Sequence, residues 1–128
     1  MDVDRLAIYY AGFFDGEGSV FEASYKDRHG KLRTRLTATV TQVDRRVLDR
    51  LKEILGCGNV YEKYDGRSVA KNWQICHQIT LSDRSARQFL VWIEPYLFVK
   101  KDKVTEILDR HGRDIIAKKP TRLPKEEK

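Results

Sequence analysis

The chain has 128 residues, of which 41% are hydrophobic and 34% are charged, as is typical of a single folded domain. It contains neither an apolar run near the roughly 20 residues that cross a bilayer nor a basic secretory leader, so we expect no membrane partner and no secretion. Cys57 and Cys76 lack the spacing of metal ligands. We expect both to be free thiols in an intracellular, reducing compartment, either the cytoplasm or nucleoid or an organelle matrix.

The net charge of +6 is unevenly distributed along the chain. Residues 1–24 carry five acidic side chains against Arg5 alone, whereas residues 25–42 carry five basic side chains against Asp27 alone. An acidic cluster beside a basic stretch is typical of a metal site next to a phosphate-binding face. Ordinary surface charge on a basic protein is the alternative that composition leaves open.

The first predicted element is a helix over residues 4–15. Its large apolar side chains recur at helical spacing, and Asp4 is suited to cap its first turn. Gly16 and Gly18 follow closely and are predicted to end the helix, because glycine is a poor helix former.

A hairpin with strands over residues 19–27 and 32–42 is predicted next, joined by a turn that contains a glycine. The second strand alternates apolar and polar side chains regularly, which is typical of a half-buried strand. Along the first strand, the alternation of apolar and polar side chains shifts by one residue after its start, so we expect a bulge near Val20–Phe21. That bulge would turn Ser24 and Lys26 toward the polar face of the sheet.

The second half of the chain repeats this order. Asp44 is predicted to cap a second helix that carries an apolar stripe and ends at Gly56. A second hairpin follows, with strands over residues 59–64 and 72–81 and a turn at 65–67.

Two further helices are predicted before the chain ends. Ser82 is suited to cap a third helix, which Pro95 stops, and residues 97–111 form a fourth that ends at the next glycine. Residues 118–128 are mostly charged and include two prolines, which predicts a flexible tail outside a folded domain of residues 1–117.

This order of elements predicts an α+β fold of the type αββαββα. Its four strands would form one antiparallel sheet with the helices packed on one face. The other face would be concave, polar, basic and exposed. An open face that is this basic usually binds an anionic partner.

The most specific stretch of the sequence is YAGFFDGEG, at positions 10–18. It resembles the LAGLIDADG motif, with glutamate in place of the second aspartate. The order of elements, Gln42 at the end of a strand and the later segment PYLFVK at 95–100 resemble the same family, and together they cover some 110 residues. The resemblance implies a homing endonuclease that cuts double-stranded DNA with Mg²⁺ or Mn²⁺. One copy of the motif implies a homodimer and a roughly palindromic target.

The residues of the motif also suit this role physically. Ala11 and Gly12 are small and would let a second helix approach closely. Acidic side chains at the C-terminal end of a helix are disfavoured by its dipole, and a divalent cation would compensate Asp15 and Glu17 there. The helix is expected to form the dimer interface through Tyr10, Ala11, Gly12, Phe13 and Asp15.

The resemblance also assigns the catalytic residues. Glu17 is implied to be the metal ligand, together with the backbone carbonyl of Gly16. Gln42 would orient the attacking water, and Lys100 would stabilise charge on the phosphate. The family's basic position after the second strand is Arg45 or Arg46, which spacing does not distinguish; Arg45 is our first choice.

Strand alternation and hairpin position predict which residues contact DNA. Arginine is well shaped to bind guanine in the major groove, and the second strand offers two arginines on its polar face. A solvated sheet face is the alternative. The expected DNA-binding residues are Ser24, Lys26, Arg33, Arg35, Thr37, Thr39, Tyr61, Lys63, Arg67, Lys71, Gln74 and Gln78.

Two other functions remain open at this point. The first is an intron RNA-binding maturase, since members of the family that the sequence resembles can bind intron RNA. The second is a DNA-binding regulator that has lost cleavage; the presence of Glu17 together with Gln42 and Lys100 favours cleavage over it. An RNA-binding sheet would carry aromatic side chains on its strands, so we interpret the aromatics of the first helix as interface and core. The three histidines are not grouped, and none is predicted to bind metal.

Overall fold

The computed structural model describes residues 2–63 and 75–113. These residues confirm the α+β fold, with helices on one face of a four-stranded antiparallel sheet of strand order β1-β2-β4-β3. The elements are α1 (Val3–Glu17), β1 (Gly18–Lys26), β2 (Leu32–Gln42), α2 (Arg45–Leu55), β3 (Asn59–Lys63), β4 (Cys76–Ser82), α3 (Arg84–Ile93), a 3₁₀ turn (Glu94–Tyr96) and α4 (Lys101–His111).

The first helix is longer at both ends than the sequence predicts. Asp2, not Asp4, caps it by accepting a 2.8 Å hydrogen bond from the backbone N–H of Arg5. Gly16 lies inside the last turn rather than ending the helix, and Gly18 is the first residue of β1. A Cβ at position 18 would clash with the ring of Phe14, so glycine permits the abrupt change from helix to strand.

The first hairpin pairs without the predicted bulge. Its register runs continuously from Gly18 opposite Val40 to Lys26 opposite Leu32. Directly opposed residues of an antiparallel pair share a face, so Ser24 and Lys26 lie on the helix side of the sheet. The expectation that these two side chains face outward with the arginines of β2 is therefore wrong.

The residues on the open face of β1 are Phe21, Ala23 and Tyr25, which lie opposite Thr37, Arg35 and Arg33. Two of the three are large and aromatic, which is why alternation along this strand predicted a bulge. Such side chains normally indicate the core face of a strand.

The second half of the chain differs from its prediction at two helix starts. Asp44 caps α2 as predicted, and Gly56 ends it with a φ of 73°. Ser82, however, is the last residue of β4, and Asp83 precedes α3 with a φ of 52°. The backbone N–H of Asp83 donates to the carbonyl of Leu36 at 2.7 Å, and its carboxylate accepts from the N–H of Leu36 at 3.2 Å. Asp83 thus extends the pairing of β4 with β2 by one residue.

The fourth helix begins at Lys101 rather than at residue 97. The four residues before it follow the 3₁₀ turn and are held in an irregular loop by contacts with α1. The predicted turn at 65–67, the start of the strand predicted over 72–81 and the predicted tail at 118–128 lie outside the described residues.

The core lies between the helices and one face of the sheet. The largest fully buried side chains include Tyr10 and Phe14 of α1 and Phe89 of α3, with the rings of Phe14 and Phe89 edge to face at 5.8 Å. Burial of each such side chain contributes on the order of 1.5–3 kcal/mol. None of the helices within the described ranges is long and apolar enough to cross a membrane.

Candidate active site and nucleic-acid interface

An open cleft of about 350 Å³ lies at the C-terminal end of α1. It brings together three of the residues that the sequence singles out, namely Gly16, Glu17 and Gln42. Glu17 is the last residue of the helix and is exposed to solvent, so its carboxylate is accessible from the cleft. The remaining lining residues are Tyr9, Gly12 and Phe13 of the same helix.

Asp15 attaches the loop that carries Lys100 to the end of α1. Its carboxylate accepts hydrogen bonds from the backbone N–H groups of Phe98 at 2.8 Å and of Lys100 at 3.0 Å. The ammonium group of Lys100 donates in turn to the backbone carbonyl of Asp15 at 2.6 Å. A cation at the C-terminal end of a helix is favoured by the helix dipole. The ammonium of Lys100 is therefore held against Asp15, which lies two positions before Glu17 in the chain.

The two candidate arginines at the start of α2 differ in surroundings. Arg45 lies 3.3 Å from the carboxylate of Asp49, along the helix. Arg46 contacts Asp44 at 2.7 Å and lines a second cleft of about 310 Å³, which shares Tyr9 with the first. The guanidinium of Arg46 lowers the pKa of Asp44 to about 2. Arg45 lines neither of these two clefts, whereas Arg46 lines the one that adjoins the Glu17 cleft at Tyr9.

The exposed side of α1 includes Gly12 of the predicted interface set but not Tyr10 and Ala11. Tyr10 and Ala11 are fully buried, and the hydroxyl of Tyr10 donates to the backbone carbonyl of Val47 at 2.9 Å. Their assignment to a dimer interface is wrong, because helical spacing aligns them with the core positions of α1. Phe13 is partly buried against the core. The exposed stripe consists of Ile8, Tyr9, Gly12 and Gly16.

Gly12 and Gly16 leave open space on this stripe. A Cβ built at either position would meet no atom within 4 Å outside its own helix surroundings. Ile8 and Tyr9, on the same stripe, are 53% and 41% exposed. Two glycines one helical turn apart between apolar side chains form a surface that a second helix can approach closely.

The open face of the sheet carries most of the predicted DNA-binding residues that the structure describes. Arg33 and Arg35 are both exposed. Arg33 lies 2.6 Å from the carboxylate of Asp27, and Arg35 lies 3.9 Å from that of Asp83. The guanidinium of Arg35 also lies over the ring of Tyr25, 5.1 Å from its centroid. Arg67, Lys71 and Gln74 lie outside the described residues.

Other members of the predicted set are almost fully buried. Thr37 and Thr39 lie in β2, one of the two central strands, and are only 9% and 8% exposed. Gln78, on the neighbouring strand β4, is 8% exposed. These side chains form the floor of the open face, with the longer side chains of the outer strands around them.

Gln78 is the centre of a hydrogen-bond network on this floor. Its carbonyl oxygen accepts from the ammonium of Lys63 at 3.0 Å and from the hydroxyl of Thr41 at 3.2 Å. Its amide nitrogen donates to the hydroxyls of Tyr61 at 2.6 Å and Thr80 at 3.4 Å. A glutamine side chain has two donors and two acceptor positions, so all four are used. Gln78 therefore orients Lys63 and Tyr61 and has no group left for a base.

The residues that line the Glu17 cleft offer carboxylate, amide and carbonyl oxygens as possible metal ligands, and these are the ligands that Mg²⁺ and Mn²⁺ prefer. Within the described residues, no group of three or more acidic, histidine or cysteine side chains is clustered to hold a metal ion. Glu17 supplies the carboxylate among the residues that line this cleft.

Comparison with known proteins gives one consistent result. The family model described as LAGLIDADG endonuclease matches residues 10–105. The homing endonuclease I-CvuI, in complex with its target in the presence of Ca, is similar to this chain with a TM-score of 0.66 and 23% identity over 84% of this chain and 66% of that one. I-CvuI in complex with the I-CreI target in the presence of Mg gives a TM-score of 0.64 and 25% identity, covering 83% and 66%.

The archaeal intron-encoded homing endonuclease I-Vdi141I, complexed with DNA, is also similar. Its TM-score is 0.62 at 24% identity, with coverage of 83% of this chain and 66% of that one. This chain thus spans about two thirds of the length of these structures. No curated protein sequence matches it.

Proposed function

The chain belongs to the LAGLIDADG homing endonuclease family, and we propose that it cuts both strands of a long, roughly palindromic DNA target by phosphodiester hydrolysis. One observation carries this proposal. Glu17, Gly16 and Gln42 line one cleft at the end of the motif helix, with Lys100 anchored beside it. That constellation supplies an acidic ligand, a polar group to orient water and a cation for the phosphate.

The active form is a homodimer in this proposal. The stripe of Ile8, Tyr9, Gly12 and Gly16 supports pairing of two copies of α1 about a two-fold axis. Because Glu17 ends the same helix, this pairing would bring the second carboxylate, Glu17 of the partner subunit, toward the first cleft. Two open sheet faces would then lie side by side along one duplex, which explains why the target is expected to be palindromic.

Glu17 and the carbonyl of Gly16 would hold the divalent cation, which fits their oxygen chemistry. A bound Mg²⁺ or Mn²⁺ would make a water more acidic and neutralise charge on the leaving oxygen. Gln42 would orient the attacking water through its side-chain amide. Lys100 would place its ammonium near the phosphate, and Arg46, rather than Arg45, would add positive charge from the adjoining cleft.

The test separates chemistry from binding. Glu17→Gln keeps the size of the side chain and removes its charge, so cleavage in Mg²⁺ should be abolished while DNA affinity measured without metal stays equal or improves slightly. Glu17→Asp should retain part of the activity, because the type of ligand is kept. Gln42→Ala and Lys100→Ala should slow cleavage without abolishing binding. Glu106→Gln, on α4 and outside the cleft, is the matched control.

Normal cleavage by Glu17→Gln would remove the catalytic assignment. Loss of folding in that variant, measured by circular dichroism, would instead make Glu17 a structural residue of the helix end. The target for both assays is first selected from a random duplex library by the parent protein.

A second candidate function is binding of intron RNA as a maturase. It is favoured by three exposed aromatic side chains on the open face: Tyr61, which the sequence predicted there, and Phe21 and Tyr25, which it did not. Aromatic side chains on strands are typical of sheets that stack unpaired bases. Competition between the selected duplex and single-stranded RNA for the parent protein distinguishes the two functions.

A further inference from the structure

Phe21 is an apolar side chain on a face that carries mainly polar and charged groups. It lies in the middle of β1 directly opposite Thr37, on the same face as Arg33 and Arg35, and it is 49% exposed. Its neighbour Val20 is 2% exposed and faces the core, so the strand is not turned over at this point. Half of a phenylalanine side chain is thus left in water, which is unfavourable unless a ligand covers it.

The neighbours of Phe21 on this face are small. Ser19 and Ala23 flank it along β1, and Thr37 opposite is 9% exposed. The ring of Phe21 is therefore larger than the side chains directly beside it on this face. Tyr25, nearer the hairpin turn, differs because the guanidinium of Arg35 lies over its ring.

The chemistry of duplex DNA restricts what such a group can contact. In a paired and stacked duplex, the ring faces of the bases are inaccessible, and the major groove presents mainly hydrogen-bond donors and acceptors. The 5-methyl group of thymine is the one apolar group among these base edges. A phenylalanine without a polar atom can distinguish bases there only through that methyl group.

We propose that Phe21 recognises the 5-methyl group of a thymine in the major groove of each half of the target. This inference rests on the proposed function, since it assumes that the open face binds duplex DNA. Four residues separate Phe21 from Glu17, or about 13 Å of extended chain. At about 3.4 Å per base pair, the thymine lies within roughly four base pairs of the cleaved phosphate.

The experiment removes the methyl group and leaves everything else unchanged. The parent protein selects a preferred duplex from a random library, and each thymidine of one half-site is then replaced singly by deoxyuridine. Affinity is measured in EDTA for the parent, Phe21→Ala, Phe21→Leu and the control Leu32→Ala. Leu32 is an exposed apolar residue of β2 that lies on the helix side of the sheet.

The parent should bind about three- to fivefold more weakly when one thymine within roughly four base pairs of the cut loses its methyl group. Phe21→Ala should bind the two duplexes equally, Phe21→Leu should retain part of the difference, and Leu32→Ala should retain all of it. Circular dichroism establishes that each variant is folded.

Indifference of the parent to every deoxyuridine, or an undiminished penalty in Phe21→Ala, would overturn this inference while the endonuclease proposal stands. Failure to select any duplex would overturn both. Tighter binding of single-stranded RNA than of the duplex, lost in Phe21→Ala, would overturn the methyl contact and make Phe21 a base-stacking residue.

Discussion

At the scale of single residues, Gln78 shows how a side chain can be assigned to the right face and the wrong role. Alternation along β4 predicts that it lies on the open face, and the pairing of Gln78 with Tyr61 agrees. Its contacts, however, come from Lys63 on β3 and Thr41 on β2. Partners that are 15 and 37 residues away cannot be predicted from local spacing. Whether Gln78 has free groups for a base therefore depends on tertiary structure.

Gln78→Leu is expected to lower both stability and specificity. It removes the acceptor of the exposed Lys63 ammonium and of the half-buried Thr41 hydroxyl, and the loss of such a hydrogen bond costs about 0.5–1.5 kcal/mol. Gln78→Glu keeps both acceptors but loses the donation to Tyr61, so it should retain more of the stability. Urea unfolding measures the first effect and library selection the second. A Leu variant as stable and as selective as the parent would contradict the orienting role.

At the scale of elements, α1 and β1 show where sequence patterns succeed and where they fail. The apolar periodicity of α1 predicts a helix, and the glycine-rich motif predicts a site at its end. The pattern did not identify the outward side of the helix, since aromatic side chains lie on both sides. In β1 the rule that large apolar residues face the core is inverted at Phe21 and Tyr25, because these lie on a face proposed to contact DNA. By contrast, α2 begins after Asp44 and ends at Gly56, as predicted.

Gly12→Val is expected to disrupt the dimer and leave the protomer folded. No atom lies within 4 Å of a Cβ at this position, so valine fits the isolated chain. In the dimer it would force the two copies of α1 apart. Sedimentation velocity at micromolar concentration should show a dimer for the parent and a monomer for the variant, with closely similar thermal unfolding of the protomer.

Gly18→Ala provides the contrast on the same segment. Its added methyl group would clash with the ring of Phe14, so this variant should lose stability rather than dimerisation alone. A Gly12→Val protein that remains dimeric would contradict the assignment of the exposed stripe as the interface.

At the scale of the whole molecule, two carboxylates attach α4 to the rest of the fold. Glu22 of β1 contacts Arg110 and His111 at the end of α4, on the helix side of the sheet. Glu94 of the 3₁₀ turn contacts Arg113 at 2.7 Å, and Thr105 donates to the same carboxylate at 2.8 Å. The strand that bears Phe21 is thus held on its reverse face by an ion pair between distant parts of the chain.

These contacts make the attachment of α4 sensitive to acid. The hydrogen bonds from Arg113 hold the pKa of Glu94 below its ordinary value of 4.5, and those from Arg110 do the same for the pKa of Glu22. A carboxylate whose pKa is lower in the folded state stabilises that state fully above its unfolded pKa, and this stabilisation is lost as pH falls through the folded pKa. The free energy of unfolding should therefore be level above about pH 5 and decline below about pH 4.5. Because the side chains of Arg113 and Arg110 remain 38% and 49% exposed, solvent screens both pairs, and each contributes on the order of 1 kcal/mol.

Glu94→Gln should separate this effect from general acid denaturation. The variant keeps the shape of the side chain but cannot form the ion pair, so it should be less stable than the parent at pH 7 and should lose less on acidification. Arg113→Gln removes the other partner of the ion pair and should likewise be less stable at pH 7 and lose less stability on acidification, because the pKa of Glu94 then returns toward 4.5. Urea unfolding of the three proteins at pH 7, 5, 4 and 3 measures the difference. If both variants lost stability in parallel with the parent over this range, the ion pair of Glu94 with Arg113 would not be the group that titrates.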